Sequence, residues 1–440
     1  MKNSLKKTIN FYKKNPNIVV FKQNNKDIQS AKFVDDIISL TNNWNKSLQN
    51  IHRVALEIDD SYLFACAWIA CQYLGKTTVM LPNNQAGTQQ DLRPYYDSII
   101  FDADIDFNAT NFNATDFDFD IQNAETIFFT SGSTGGHKFY SKFLSNIESE
   151  SESINKYMSG YNIKDPQIYT TVSHQHLYGF SWFLIWPLLH SQTINTDRLY
   201  IPEIINGKLS NSNAIMITTP VIISKLTEKI DIGASIVVSS ASELKQHTAK
   251  QFLSYYSSQV IEVYGSSETG VIAHRKQLKD AIWKTFDGLE ITSDNNNLLT
   301  VGSLFFPESH QKMSDKVIIL DEYTFELQGR VDRIVKVSGK RVALSAMENH
   351  LLQHDWIDDA ACLIRQTYRE QVVTMICLSK IGIEQSKLHT RRNLTQQLRL
   401  YLLKYYNEVT IPKQWRIVDK IPLNTQGKRV FKTIIKAFEG

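Results

Sequence analysis

A run of small and hydroxylated residues, TSGSTGGHK at Thr130–Lys138, directly follows the apolar stretch ETIFF. Three glycines allow close backbone approach and left-handed dihedral angles, so that main-chain amides can converge on an anion: Gly132, Gly135 and Gly136. Hydroxyl groups and one positive charge are added by Ser131, Ser133, Thr134 and Lys138. A strand followed by such a loop is suited to the outer phosphates of a nucleotide.

The loop is not a Walker loop, in which two glycines separated by four residues precede a lysine and a hydroxylated residue. Here His137 precedes Lys138 and Phe139 follows it. The sequence therefore disfavours a P-loop kinase or ATPase and requires a different phosphate-binding fold.

Helical and strand patterns alternate along the chain. Residues 62–73 have helical periodicity that stops at Leu74-Gly75, and residues 77–81 form a short apolar run closed by turn residues. Further apolar runs predict strands at 126–129, 215–218, 236–238 and 260–263. The alternation predicts an α/β fold with mostly parallel sheets.

Composition narrows the class of protein. The 440 residues favour two domains, and 42% hydrophobic with 21% charged residues is ordinary for a soluble globular chain. A net charge of +3 gives no argument for a nucleic acid partner. We expect a cytoplasmic protein, since the four cysteines lie in apolar runs without metal-ligand spacing and no signal peptide or transmembrane span is evident.

Two further segments carry predictions. Residues 101–120 alternate aspartates with apolar residues but lack the glycine and distal glutamate of a calcium loop, which favours a solvated connection. After Gly329 the pattern predicts two short strands and a helix starting near Ser345, with Glu348 completing a capping box. The chain then reads as a small α+β unit.

Four more segments follow the loop in a meaningful order. They are VYGSSETG (263–270), KMSD (312–315), GRVDRIVKVSGKRV (329–342) and PLNTQGK (422–428). With TSGSTGGHK, this series resembles the acyl-adenylate-forming superfamily, which includes acyl-CoA synthetases, peptide synthetase adenylation domains and luciferases. The resemblance implies an AMP-binding domain at 1–331 and a mobile C-terminal domain at 332–440 that carries the catalytic lysine.

The resemblance also implies which residues bind ATP and AMP. These are Thr130, Ser131, Gly132, Ser133, Thr134, Gly135, Lys138, Ser240, Ala241, Tyr264, Gly265, Ser266, Ser267, Asp315 and Arg330. Tyr264 would lie against the adenine, and Asp315 and Arg330 would bind the ribose. The sequence departs from the family at Ser240 and Ala241, which replace glycines, and at His137, which replaces a proline.

By the same resemblance, Lys428 bridges the substrate carboxylate and the α-phosphate, and Glu268 binds Mg²⁺. His176 would gate the passage between the acid pocket and the thiol, whereas His174 is interpreted as structural. Asp332 would be the hinge, and Lys336 and Gly339 would face the thiol channel after rotation. The aromatic residues Tyr178, Phe180, Trp182 and Phe183 would either line the acid pocket or pack in the core.

The predicted reaction is ATP-dependent activation of a fatty or aryl acid, followed by transfer to a thiol. Because no pantetheine-bearing segment follows Lys428, we expect the acceptor to be CoA or the phosphopantetheine of a separate carrier protein. The alternatives are adenylation without thioester formation, a luciferase-type oxidation and a catalytically idle binding homologue. ATP and Mg²⁺ are the expected cofactors.

Overall fold

The computed structural model describes residues 4–82, 85–108, 123–131, 137–210, 213–241, 244, 246–330, 334–366, 369–422 and 431–439. The chain divides into two compact units by its internal contacts. The larger unit comprises residues 1–82, 93–129 and 139–331, and the smaller one comprises residues 83–92, 130–138 and 332–440.

The strands before residue 331 are β1 (Val19–Gln23), β2 (Lys26–Gln29), β3 (Arg53–Glu57), β4 (Thr77–Met80), β5 (Ser98–Phe101), β6 (Glu125–Ser131), β7 (His137–Phe143), β8 (Gln167–Thr170), β9 (Thr193–Arg198), β10 (Ala214–Thr218), β11 (Ile236–Ser239), β12 (Ile261–Ser266), β13 (Gly270–Lys276), β14 (Asp280–Thr285), β15 (Leu289–Ser293), β16 (Leu298–Ser303), β17 (His310–Ile319) and β18 (Thr324–Arg330). The strands after it are β19 (Ile334–Val337), β20 (Lys340–Ala343), β21 (Ile357–Gln366), β22 (Glu370–Leu378) and β23 (Gln414–Ile417).

The α-helices are α1 (Leu5–Lys14), α2 (Ser30–Ser47), α3 (Ser61–Tyr73), α4 (Ala86–Leu92), α5 (Leu144–Ser159), α6 (Leu177–Gly179), α7 (Trp186–Leu189), α8 (Pro202–Leu209), α9 (Pro220–Ile223), α10 (Gln246–Tyr256), α11 (Leu344–Leu352), α12 (Lys380–Leu388), α13 (Arg391–Leu402) and α14 (Phe431–Lys436). Short 3₁₀ turns lie at Arg93–Tyr95, Asp102–Asp104 and Glu408–Thr410, and a π-helical segment at Phe180–Ile185 joins α6 to α7.

Two sheets organise the chain before residue 331. Within the described residues, the larger has the strand order β15-β16-β17-β18-β14-β13-β12-β11-β10-β8-β9-β1-β2, and the smaller has the order β5-β3-β4-β6-β7. Neighbours from β12 through β11, β10, β8 and β9 to β1 are parallel, as are β5, β3, β4 and β6. From β12 to β15 the ladder is antiparallel.

The predicted α/β class is therefore confirmed, with a large sheet that is mixed. The short apolar runs predict β10, β11 and β12 in its parallel part, and β4 and β6 in the smaller sheet. Parallel strands are covered on both faces and need no polar alternation. The antiparallel arm begins at Gly270, where hairpin connections replace the helical crossovers of the preceding strands.

Helix α3 illustrates how local sequence signals produce the core. Asp60 caps its first turn by accepting from the amides of Tyr62 (2.8 Å) and Leu63 (3.0 Å), and the helix ends at Tyr73 as predicted. Nearly every side chain of the helix is buried, including Trp68, whose indole donates to Thr126 Oγ1 at 3.1 Å. A helix that is apolar all round belongs in the interior.

The described part of the acidic segment, residues 101–108, is mostly exposed or half-buried but is bonded to α2. The side chain of Asn43 donates to the carbonyl of Asp106 at 2.9 Å, and Ser39 donates to the carbonyl of Phe107. The remainder of the predicted connection, 109–120, lies outside the described residues.

After residue 333, β19 and β20 form a hairpin, while β21 pairs antiparallel with β22 and β22 pairs parallel with β23. The two predicted strands are confirmed, but the capping box at Ser345 is wrong. Helix α11 begins at Leu344 after the N-cap residue Ala343, which provides no side-chain cap. Glu348 is buried and accepts from the Cys362 amide at 2.6 Å instead, because the adjacent strand β21 supplies a donor.

The four cysteines are buried and unbridged, as expected for small apolar side chains. In the described ranges of the chain, no helix has both the length and the apolar character needed to cross a membrane.

Candidate functional site

Hydroxylated residues collect where the parallel strands of the large sheet end. Strands β8, β10, β11 and β12 finish at Thr170, Thr218, Ser239 and Ser266. Thr218 Oγ1 lies 2.8 Å from Thr171 Oγ1, and Ser240 Oγ donates to the carbonyl of Val263 at 2.8 Å. The carboxyl edge of a parallel sheet is where α/β proteins bind ligands.

The segment YGSSE forms the end of β12 and the turn into β13. Residues from Tyr264 to Glu268 are half-buried, and the Tyr264 ring centroid lies 5.6 Å from that of Trp283 and 5.9 Å from that of Phe325. The hairpin is tight at Gly265, where a Cβ would lie 2.3 Å from the carbonyl oxygen of Gly270. The strand predicted at 260–263 is confirmed and continues to Ser266, and the close approach at Gly265 explains why the motif contains a glycine.

A buried ion pair supports the ring of Tyr264. Glu262 on β12 lies opposite Arg275 on β13, whose Nε and Nη2 atoms donate to its two carboxylate oxygens at 3.0 and 3.1 Å. The guanidinium lies 4.3 Å from the ring centroid of Trp283, which in turn contacts Tyr264. Planar stacking of this kind orients the aromatic pair.

The two predicted ribose-binding residues are brought together by strand register. Asp315 on β17 is the Cα partner of Arg330 on β18. Asp315 is buried, and Met313 lies on the same face of β17, with its sulfur 4.0 Å from Ser266 Oγ. Asp315 thus lies on the strand face that approaches the end of β12; the side chain of Arg330 lies outside the described residues.

The backbone departs from ordinary geometry at the position where the resembling family has glycine. Ala241 has φ = 72°, in the left-handed region that L-residues with a Cβ seldom adopt. Its neighbour Ser240 uses the hydroxyl to bond the Val263 carbonyl of β12. The chain therefore keeps the backbone conformation expected of glycine with an alanine in its place.

Two histidines near α6 differ in environment. His176 is exposed and caps α6, with its carbonyl accepting from the Phe180 amide at 2.8 Å. His174 is buried, and its Nε2 donates to the Ile58 carbonyl at 2.9 Å while its ring packs 4.5 Å from Phe64. Burial lowers the pKa of His174 to about 4, so this imidazole stays neutral, as a structural role requires.

The aromatic residues after His176 belong mainly to the core. Phe180, Trp182 and Phe183 are buried, and the Phe180 ring packs 5.3 Å from Trp68. Tyr178 is half-buried, and its hydroxyl lies within hydrogen-bond distance of two strand-end carbonyls, Thr218 at 3.2 Å and Val238 at 3.0 Å. Of the two open interpretations, core packing is the one observed for the three buried rings.

Several predicted site residues lie outside the described residues: Gly132, Ser133, Thr134, Gly135, Asp332 and Lys428. Thr130 and Ser131 end β6 and Lys138 is the second residue of β7, but their side chains also lie outside the described part of the chain. In the smaller unit, Lys336 lies on β19 opposite Arg341, and Gly339 lies in the turn between β19 and β20.

Sequence reasoning missed a buried ion pair that lies next to the Glu268 turn. Lys142 Nζ on β7 and Glu150 Oε2 on α5 are 2.9 Å apart, and both side chains are fully enclosed. Glu150 lies between two serines and Lys142 between Ser141 and Phe143, so no apolar periodicity marks either of them as an interior residue. A lysine and a glutamate eight residues apart carry no recognisable local signal.

Comparison with known proteins places these features in one family. A family model described as AMP-binding enzyme matches residues 88–305. The chain is 25% identical over 245 residues to 4-coumarate–CoA ligase of Cereibacter sphaeroides, which covers 54% of this chain and 56% of that protein. It is 22% identical over 393 residues to D-alanine–D-alanyl carrier protein ligase of Staphylococcus aureus, covering 80% of this chain and 76% of that protein.

Solved structures agree with the fold. Amide bond synthetase McbA from Marinactinospora thermotolerans superposes with a TM-score of 0.83 at 15% identity, covering 98% of this chain and 99% of that one. The o-succinylbenzoate CoA synthetase MenE of Bacillus subtilis gives 0.80 at 13% identity, covering 98% of each chain.

The ordered motifs, the fold and the family model define an adenylate-forming α/β enzyme class. The chain belongs to the superfamily of AMP-binding, acyl-adenylate-forming enzymes. It spans little more than half the length of the 4-coumarate–CoA ligase that it matches.

Proposed function

We propose that the protein activates a carboxylic acid with ATP and then transfers the acyl group to a thiol. A carboxylate oxygen attacks the α-phosphorus, the bond to the β-phosphate breaks, and pyrophosphate leaves. A thiolate then attacks the acyl carbon of the adenylate, and AMP leaves. The observation that supports this most strongly is the juxtaposition of the YGSSE turn with buried Asp315 at the carboxyl edge of the sheet.

The nucleotide is proposed to bind at this carboxyl edge of the large sheet. The half-buried ring of Tyr264 offers a face for the adenine, and Asp315 offers an acceptor for the ribose hydroxyls, with Arg330 paired to it through the backbone. Ser267, in the turn, is proposed to contact the α-phosphate. The loop Thr130–Lys138 is proposed to hold the β- and γ-phosphates.

Glu268 is proposed to hold the Mg²⁺ that accompanies ATP. Among the described residues, no group of three or more His, Cys, Asp or Glu side chains can bind a metal by themselves. Magnesium bound with a nucleotide usually takes one or two protein carboxylates and completes its shell with phosphates and water, so one half-buried carboxylate in the turn fits. When bound, the ion neutralises charge on the phosphates.

Lys428 is proposed to act on the reacting groups. Its ammonium group would lie between the carboxylate and the α-phosphate, reducing the repulsion between two anions and stabilising the pentacoordinate transition state. The residues 332–440 are proposed to move as a domain about Asp332, bringing Lys336 and Gly339 toward the thiol channel, which His176 would gate.

The thiol acceptor is proposed to be CoA or the phosphopantetheine of a carrier protein. The relatives support both, since one is a CoA ligase and another a carrier protein ligase. Because each acceptor presents the same thiol, direct comparison of CoA with purified carrier proteins as acyl acceptors distinguishes them. Adenylation without thioester formation is the outcome if neither acceptor is acylated.

Acid-dependent exchange of pyrophosphate into ATP tests the proposal, with a panel of aliphatic and aromatic acids. Replacement Lys428→Ala should reduce the exchange on the order of 100-fold or more, the typical effect of removing one preorganised electrostatic group. Lys436→Ala, which removes an exposed lysine of α14, is the matched control and should exchange normally. Exchange in Lys428→Ala equal to that of the natural protein would contradict the proposed role of the lysine, and no exchange with any acid would contradict the proposed reaction.

A further inference from the structure

The buried pair formed by Lys142 and Glu150 joins the strand that leaves the phosphate loop to helix α5. Lys142 lies on β7, four residues after Lys138, and Glu150 lies in the middle of α5. Their side chains are only 1% and 2% exposed, and the nitrogen and oxygen are 2.9 Å apart. Neither charge is shared with solvent, so each depends on protein partners.

Those partners include two backbone groups that flank Gly270, the second residue after Glu268. Lys142 Nζ donates to the carbonyl of Thr269 at 3.4 Å and also to the carbonyl of Phe305. Glu150 Oε1 accepts from the amide of Val271 at 3.0 Å. The pair therefore bonds the outgoing arm of the turn through a carbonyl and an amide that are two residues apart.

The backbone between these two bonds is shaped to receive the carboxylate. Gly270 has φ = 77°, and a Cβ at this position would lie 2.6 Å from Glu150 Oε1. Only glycine allows the main chain to approach so closely with that dihedral angle. The carboxylate of Glu150 therefore packs directly against the backbone of the turn at Gly270.

A buried ion pair gives little net stability compared with an apolar pair of the same shape, because both charges lose their hydration. Its advantage is geometric, since charge-assisted hydrogen bonds in a low-dielectric interior have defined directions. Here the bonds fix the turn containing Ser267 and Glu268 relative to the strand that continues from the phosphate loop.

We propose that Lys142 and Glu150 are positioning residues that hold the Glu268 turn in place for the magnesium–nucleotide complex. The proposal rests on the proposed function, because it takes Glu268 as the carboxylate that meets the metal. Neither Lys142 nor Glu150 touches the substrate. Their effect is exerted through the carbonyl of Thr269 and the amide of Val271.

This role can be tested in the full-length protein by measuring how much Mg²⁺ increases the affinity for ATP. Calorimetric titration of ATP, once with Mg²⁺ and once with EDTA, gives a ratio of dissociation constants that needs no acid and no turnover. Two variants are informative: Glu150→Gln, and the double variant Lys142→Met with Glu150→Gln, which is neutral, keeps the side-chain volumes and retains an acceptor for Val271. We expect either variant to reduce the ratio about 10- to 100-fold, as loss of groups that orient a metal ligand does.

Lys156 provides the matched control. It lies on the same helix α5 and forms an ion pair with Asp287 at the same 2.9 Å distance, but both side chains are more than half exposed. Lys156→Met should leave the ratio as it is in the natural protein.

The possible results separate the two proposals. A folded Glu150→Gln or double variant, verified by its unfolding transition, that keeps the natural ratio overturns the positioning role. A purely structural role would lower the folded fraction and leave the ratio unchanged, and this outcome too counts against the proposal. Absence of Mg²⁺-dependent ATP binding in the natural protein would instead contradict the proposed function, and it appears without any variant.

Discussion

The larger unit partners its buried and half-buried carboxylates in two different ways. Glu150 on α5 and Glu262 near the start of β12 each face a cation, at 2.9 and 3.0 Å. At the smaller sheet, Asp102 accepts from the amides of Asp59 and Asp60 at 2.9 Å. Glu57, which ends β3, is buried there, and its Oε2 has no hydrogen-bond partner among the described residues.

The two kinds of surroundings favour different charge states of a carboxyl group. A cation at hydrogen-bond distance stabilises the ionised form, whereas burial beside other carboxylates favours the protonated form. Burial, and then the charges of Asp59 and Asp102, raise the pKa of Glu57 to about 7. Burial also raises the pKa of Glu262, and the hydrogen bonds and charge of Arg275 oppose that rise. The carboxyl edge of the smaller sheet thus holds a carboxyl group that takes up a proton near neutral pH.

The largest expected effect is that of breaking the Lys142–Glu150 pair. Lys142→Met leaves Glu150 buried without its cation and removes a donor from the carbonyls of Thr269 and Phe305. We expect the free energy of unfolding to fall by about 3–5 kcal/mol, the usual consequence of removing one member of a buried pair. Denaturant unfolding followed by tryptophan fluorescence measures this.

The double variant Lys142→Met with Glu150→Gln sharpens that result, because no buried charge is left behind. Its loss of stability should be clearly smaller than that of Lys142→Met alone. Lys156→Met, which breaks the exposed pair with Asp287, should change stability by about 0–1 kcal/mol. Equal losses in the single and double variants would mean that the uncompensated charge is not the cause.

The small-sheet edge predicts a smaller, pH-dependent effect. Between pH 4.5 and about 7, folded Glu57 binds more protons than unfolded Glu57, so its contribution to stability declines as the pH rises. A rise of the pKa from 4.5 to about 7 corresponds to about 3 kcal/mol. Glu57→Gln should therefore be about as stable as the natural protein near pH 4 and more stable at pH 8, by up to that amount.

The free energy of unfolding of Glu57→Gln minus that of the natural protein, taken at each pH, isolates the effect of Glu57 from that of His174. Burial lowers the pKa of His174 to about 4, so its contribution has the opposite sign: it is lost as the pH falls from 6.5 toward 4, in both proteins. Asp59→Asn removes one of the two neighbouring charges and should reduce, without abolishing, the dependence on Glu57. A difference between Glu57→Gln and the natural protein that does not vary with pH would contradict the proposed protonation.

The sequence predicts the features that depend on local patterns and misses those that depend on tertiary contacts. Apolar runs such as 215–218, and the end of α3 at Leu74-Gly75, are local patterns, and the structure confirms the elements that they predict. The prediction of a capping box at Ser345 is wrong because Glu348 accepts a hydrogen bond from the Cys362 amide, a tertiary contact that no local pattern predicts. The burial of Lys142 was missed for the same reason, because two of its three partners, the carbonyls of Thr269 and Phe305, are 127 and 163 residues away in the chain.

The residues of the candidate site also differ in how they could be predicted from the sequence. The sequence predicted the strand before YGSSE from an apolar run, whereas Asp315 was implied only by the family resemblance. A tight hairpin and the strand register bring both near the end of β12. The predicted roles of Lys428 and Asp332 depend on movement of the C-terminal residues, which a motif implies only through family resemblance. These roles stay predictions for the exchange assay.

The smallest expected effect concerns the backbone of the large-sheet edge at Ala241. Its φ of 72° costs an L-residue roughly 1–2 kcal/mol, which glycine avoids. Glycine also raises the entropy of the unfolded chain, by about 0.4–1 kcal/mol. Ala241→Gly should therefore raise the free energy of unfolding slightly, by up to about 1.5 kcal/mol, whereas Ala31→Gly in helix α2 should lower it by about 0.5–1 kcal/mol. If both substitutions lower stability equally, Ala241 is not held in the left-handed conformation, and this edge is then less strained than the geometry indicates.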